Sequence, residues 1–117
     1  MSRPVRIVVE SLPASFRRAG WQPPADIHRL RDGWLVKFDL AGIRPEDVRL
    51  TVQGSVLTVG GVRRDWKIEG CLSCYSMEIS YSDFERSIEF PADLEQAQVT
   101  TEYREGMLLV RLQTEEP

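Results

Sequence analysis

The sequence predicts an all-β fold, an antiparallel β-sandwich of short strands. Three observations carry that expectation. Apolar and polar side chains alternate at period 2 in several segments, most clearly where Trp34, Val36, Phe38 and Leu40 alternate with Leu35, Lys37 and Asp39. Such alternation places one row of side chains on each face of a strand. Glycine-containing turns separate these segments, and no stretch holds a 3.6-residue period long enough for a long helix. Many short strands at regular spacing, joined by glycine turns, are the pattern of a sandwich.

The elements follow in order. Residues 1–24 read as an arm, interrupted by Pro4, Pro13, Pro23 and Pro24. Asp26-Ile27-His28-Arg29-Leu30 forms a strand that leads into a turn at Asp32-Gly33, where glycine tolerates positive φ. The strand of Trp34 to Leu40 follows, then a loop over residues 41–47 in which Pro45 blocks helix extension. Val48, Leu50 and Val52 alternate with Arg49, Thr51 and Gln53, and the turn Gly54-Ser55 pairs this strand with one beginning at Val56 and running out at Gly60-Gly61. Residues 62–81 are the least regular part, although Trp66-Lys67-Ile68-Glu69 reads as a short strand cut off by Gly70. Val99, Thr101 and Tyr103 alternate with Thr100, Glu102 and Arg104, and Glu105-Gly106 turns the chain into the final strand, residues 107–112. Residues 113–117 form a short tail, which leaves 25–112 as the domain.

Composition bounds the function. A chain of 117 residues with 42% hydrophobic and 28% charged residues is one ordinary globular domain, large enough to bury a core without disulfides or metal. A net charge of −3 argues against a general nucleic-acid binder. No apolar run approaches a membrane span. The first twenty residues carry Arg3, Arg6, Arg17 and Arg18 against Glu10 alone. Transit peptides share that bias, but nothing else marks a cleavage site, so the expectation is a basic arm on a cytoplasmic protein. Catalysis is not expected. The single histidine, His28, lies on a predicted strand, no glycine-rich phosphate loop opens a helix, and the acidic residues are spread over faces and turns. Cys71 and Cys74 are the one constellation of reactive groups. A zinc site takes about four ligands, which this chain does not assemble alone, so neither metal nor cofactor is expected. The pair reads as structurally incidental, with an intersubunit or redox-sensing disulfide as the alternative.

One segment resists the simple pattern. Phe84-Glu85-Arg86-Ser87-Ile88-Glu89-Phe90-Pro91 alternates at period 2 and stops at a proline, yet Arg86 shares a face with Phe84, Ile88 and Phe90. A guanidinium in an apolar row needs a carboxylate, a carbonyl or a subunit boundary, or must snorkel to water. Spacing alone leaves these open.

Taken in order, these features resemble the small heat shock proteins, which share the α-crystallin domain, in their bacterial and archaeal type. Pro24-Ala25-Asp26-Ile27 resembles the family's first domain strand. Phe38-Asp39-Leu40-Ala41-Gly42-Ile43 is similar to its aspartate-leucine-proline-glycine loop, with Ala41 in place of proline, and Pro45-Glu46-Asp47-Val48 follows. Val56-Leu57-Thr58-Val59-Gly60-Gly61-Val62-Arg63 resembles the strand closing on glycine-x-arginine. The run from Phe84 to Pro91 matches phenylalanine-x-arginine-x-x-x-x-proline, Pro91-Ala92-Asp93-Leu94 continues it, and Glu105-Gly106-Met107-Leu108 stands where asparagine-glycine-valine-leucine is usual. The resemblance covers residues 23–112. It implies an immunoglobulin-like sandwich with a long strand-exchange loop, acting as an ATP-independent holdase that keeps partly unfolded client proteins from aggregating. It also implies homodimers in which a strand of that loop pairs with the partner's sandwich, with higher oligomers built from them. The loop here is 63–81, and Trp66, Lys67, Ile68 and Glu69 are the exchange strand it implies. Arg86 falls on the motif arginine at or near the dimer interface.

The chain departs from the family where assembly is concerned. The tail Gln113-Thr114-Glu115-Glu116-Pro117 lacks the usual isoleucine-x-isoleucine/valine docking motif, so a tail-built cage is not expected. The arm offers Ile7 and Val9 at the same spacing, and two readings stay open: it docks in a groove lined by Val48, Leu50, Val52, Thr101 and Tyr103, or it is disordered or packs on its own domain. Burying two such side chains is worth about 3–6 kcal/mol before ordering and association costs. The arm residues Ile7, Val8, Val9, Leu12, Phe16 and Trp21 and the groove form the expected client surface. The alternative function is a p23-like sandwich that serves one defined partner, a type that lacks the long loop.

Overall fold

In a computed structural model, the described residues are 2–4, 9–10 and 20–114, the first two stretches by backbone alone. Their strands are β1 (Ser2–Pro4), β2 (Val9–Glu10), β3 (Ala25–Leu30), β4 (Gly33–Asp39), β5 (Val48–Gln53), β6 (Val56–Val62), β7 (Asp83–Glu89), β8 (Gln98–Arg104) and β9 (Met107–Gln113). A 3-10 turn, Pro45–Asp47, opens with proline and precedes β5. The strands form two facing sheets, ordered β1-β8-β9-β4-β3 and β2-β5-β6-β7. Pairing is antiparallel except for β2, which runs parallel beside β5.

The period-2 rows account for the core. Val36, Phe38 and Leu40 from the β4 side and Leu108, Val110 and Leu112 from β9 face Leu50, Leu57, Val59 and Phe84 of the other sheet, each at most 1% exposed. Ile43 and Leu94, from the connectors, plug the ends of the same cluster. Removing such apolar area from water is the main force holding two sheets together.

The turns refine the expectations. At β8–β9 the two-residue loop has φ of 54° at Glu105 and 80° at Gly106. Positive φ at both central positions is the type I′ pattern that fits the twist of a hairpin. At β5–β6, Gly54 alone takes positive φ, at 62°, as a type II′ turn requires of its first central residue. The expected turn at Asp32-Gly33 lies one residue earlier, because Leu30 and Gly33 are partners in the ladder and Arg31 and Asp32 make the turn. Gly33 matters for a different reason than a turn. Any Cβ there would run into the backbone carbonyl of Leu112 on β9. Asp32 is buried and takes a two-pronged contact from Nη2 of Arg111, 3.2 and 3.1 Å from its two carboxylate oxygens.

Candidate interaction site

Between β6 and β7 the chain leaves the sandwich. Every residue from 64 to 82 is exposed, and none belongs to a strand or helix. The excursion carries Trp66 at 79% exposure, Leu72 and Tyr75 at 100%, and exposed Ile68, Met77 and Ile79. Scattered surface apolar residues are ordinary, but a concentration of large ones on one segment marks an interaction surface. The expected short strand at Trp66, Lys67, Ile68 and Glu69 does not form in the single chain. The reason is physical: a strand is stabilised by its ladder partners, and among the described residues no strand pairs with this segment.

The neck of the excursion is closed by Arg63. Its backbone N–H donates to Ser82 O at 3.1 Å, and its Nε donates to Ser80 O at 2.8 Å. Nη1 donates to Ala41 O at 3.2 Å. The guanidinium lies over the Trp21 ring, 4.3 Å from its centroid, and 5.7 Å from that of Tyr81. Cation–π contact of this kind fastens the loop base to the sandwich. Sequence reasoning placed Arg63 in a motif but not in this role. Trp21 also departs from its expected place on the client surface. Its ring packs on core residue Phe84 with centroids 5.4 Å apart, and it is half-buried.

Residues 20–24 run along the outer edge of β7. Gly20 N–H donates to Asp83 O and Glu85 N–H to Trp21 O, both at 3.0 Å, and Trp21 bridges Phe84. Arg86, half-buried, donates from Nη1 to the carbonyl of Pro23 at 3.0 Å. Of the partners open to this guanidinium on spacing, the structure supplies a carbonyl within the chain.

The residues expected to line a groove lie on β5 and β8, each of which has an arm strand beside it. Val9 is registered opposite Leu50, and Arg3 opposite Tyr103. Val48 and Leu50 are buried, whereas Val52, Thr101 and Tyr103 are half-buried. The Tyr103 hydroxyl sits 3.0 Å from Leu40 O and 2.9 Å from Ile43 O, so its proton pins the loop after β4. Ile7, Leu12 and Phe16 lie outside the described residues, and Val9 is described by backbone alone. The far edge of the five-stranded sheet, β3, has β4 as its only ladder partner among the described residues. Ile27 on that strand is 43% exposed. Cys71 and Cys74 are both free and exposed.

A facing-sheet sandwich with a long exposed excursion between its sixth and seventh strands defines an α-crystallin-type domain. The chain belongs to the Hsp20/alpha crystallin family, whose profile matches residues 26–117. Among curated relatives, it is 24% identical over 94 residues to small heat shock protein C2 of Rickettsia felis, covering 80% of this chain and 61% of the relative. It is 34% identical over 110 residues to the 19.0 kDa class II heat shock protein of Oryza sativa subsp. japonica, covering 86% and 62%. The chain thus spans less than two thirds of the length of these relatives. Among solved structures, HSP18.5 from E. histolytica superposes with a TM-score of 0.67 at 28% identity, covering 80% of this chain and 88% of that one. Heat shock protein 16.0 from Schizosaccharomyces pombe gives 0.66 at 25%, covering 80% and 86%.

Proposed function

We propose that this protein is an ATP-independent holdase, acting by binding and not by catalysis, whose subunits pair through the excursion between β6 and β7. The observation that carries the reading is the unbroken exposure of residues 64–82 together with their large apolar side chains. A surface of that kind invites either a second copy or an unfolding client. The family membership supports the same reading, and the long excursion disfavours the p23-like alternative.

The pairing follows from edge chemistry. Residues 66–69 have the alternation of a strand and lack an edge, while β3 has an edge and lacks a second neighbour among the described residues. Adding the segment of one copy to β3 of another satisfies both through backbone hydrogen bonds, the mode of β-augmentation. Burying Trp66 and Ile68 in doing so is worth about 1.5–3 kcal/mol each. A two-fold arrangement makes the contact twice. Arg86, bonded to the Pro23 carbonyl just before β3, is the arginine that the family resemblance implies lies at or near the dimer interface.

Clients bind where the arm now lies. The arm's ladders are short, three residues on β8 and two on β5. Short ladders open at low cost, so β5, β8 and the arm's apolar residues become available together. The decisive assay mixes purified protein, without ATP, with a heat-labile client. Suppressed light scattering at near-stoichiometric amounts is expected, and an unaltered aggregation curve would rule the holdase reading out.

A further inference from the structure

Both cysteines of the chain sit on the exposed excursion, three residues apart. Cysteine is among the most buried residue types, so two exposed thiols call for a chemical explanation. The local backbone shapes one. Cys71 N–H donates to Ile68 O at 3.3 Å, and Gly70 between them has φ of 76°, the type II pattern with glycine at its third position. The chain therefore enters Cys71 from a reversal. The Cys71 sulfur then folds forward and lies 3.5 Å from Ser73 O, the carbonyl whose peptide leads directly into Cys74.

Residues 71–74 form no turn of their own, so the segment has to bend for a disulfide ring to close. A disulfide needs its Cα atoms about 4.4–6.8 Å apart, whereas three residues of extended chain span about 10 Å. Residues 71–74 lie in no strand that holds them extended. The competing use of two thiols is a metal site, and among the described residues no group of three or more histidine, cysteine or acidic side chains is placed to hold an ion.

We infer that Cys71 and Cys74 form a reversible intraloop disulfide by exchange with a small disulfide such as oxidised glutathione. One protein thiolate attacks a sulfur of the oxidant, forming a mixed disulfide and releasing one glutathione thiolate. The second protein thiolate attacks the protein-bound sulfur, closing Cys71 to Cys74 and releasing the second glutathione. The protein loses two protons and two electrons, the oxidant is reduced to two thiols, and no other reactant is needed. The second attack is intramolecular over a few bonds, so its effective concentration exceeds that of any thiol on another chain at micromolar protein. The mixed disulfide is short-lived, and an interchain bond does not compete.

Oxidised glutathione added to the reduced full chain, followed by acid quenching and intact-mass measurement, tests this. The wild-type chain should become lighter by two hydrogen atoms, resist alkylation, and recover both thiols with dithiothreitol. Cys71→Ser and Cys74→Ser should each stop at a stable glutathione adduct. Neither position touches the core, so circular dichroism should match the wild type for both. A wild-type chain that keeps the adduct, stays fully alkylatable, or runs as a covalent dimer on a non-reducing gel overturns the inference.

Discussion

Arg86 illustrates what spacing can and cannot reveal about one residue. Its place in the row of Phe84, Ile88 and Phe90 shows a guanidinium that needs a partner. The partner is the Pro23 carbonyl, 63 positions away, and no local pattern encodes that. Arg86→Ala leaves a buried carbonyl without its donor, at a cost of about 1–3 kcal/mol. On the pairing proposed above, the variant also weakens the dimer while the sandwich stays folded. Urea unfolding and a dilution series by light scattering separate the two effects, and an unaltered dimer dissociation constant would return Arg86 to a purely intrachain role. Glu105 is the second informative residue. It holds φ of 54° in a turn where glycine or asparagine is at ease. Glu105→Gly or Glu105→Asn should therefore stabilise the fold by roughly 0.5–1 kcal/mol, read as a higher denaturant midpoint.

At the scale of elements, the strands with one buried face were legible and the excursion was only half so. β4, β5, β8 and β9 stand within a residue or two of where alternation puts them, because the inner face of a sandwich selects the period directly. Residues 66–69 have the same alternation without forming a strand in the single chain, since a ladder needs an edge and the sequence cannot say which edge, or whose. The turn after β3 shifted by one residue because Gly33 answers to the close approach of Leu112 on β9, a tertiary constraint invisible in a dipeptide. Gly33→Ala should accordingly cost more than a surface change, upwards of about 2 kcal/mol. Thermal melting would show it, and a wild-type midpoint would contradict the close approach. In the excursion, Trp66→Ser combined with Ile68→Ser should leave the melting transition of the sandwich in place while raising the dimer dissociation constant at least tenfold. Both side chains are exposed in the single chain, so a loss of folding is not the expected effect.

For the whole molecule, the core, the two sheets and the family were legible because they rest on patterns repeated along the chain. The arrangement of the arm was not, since pairing of β1 with β8 and β2 with β5 joins residues about 40–100 positions apart. Those arm pairings place backbone beside the strands proposed for clients, while the exposed excursion and the β3 edge are the surfaces proposed for a second copy. On the proposed function the molecule has two kinds of surface: an apolar excursion for a second copy, and edges beside short arm ladders for clients. If the arm docks in the groove, Gly substitutions at Ile7 and Val9 should shrink the assembly, and an unchanged mass by light scattering would contradict that docking. The most direct test of the central claim is the molar mass of the purified chain by light scattering at tens of micromolar, compared with the Trp66→Ser, Ile68→Ser variant. A wild type at twice the single-chain mass or a multiple of it, with the variant shifted toward one chain, is the predicted result; a wild type at the mass of one chain would contradict it.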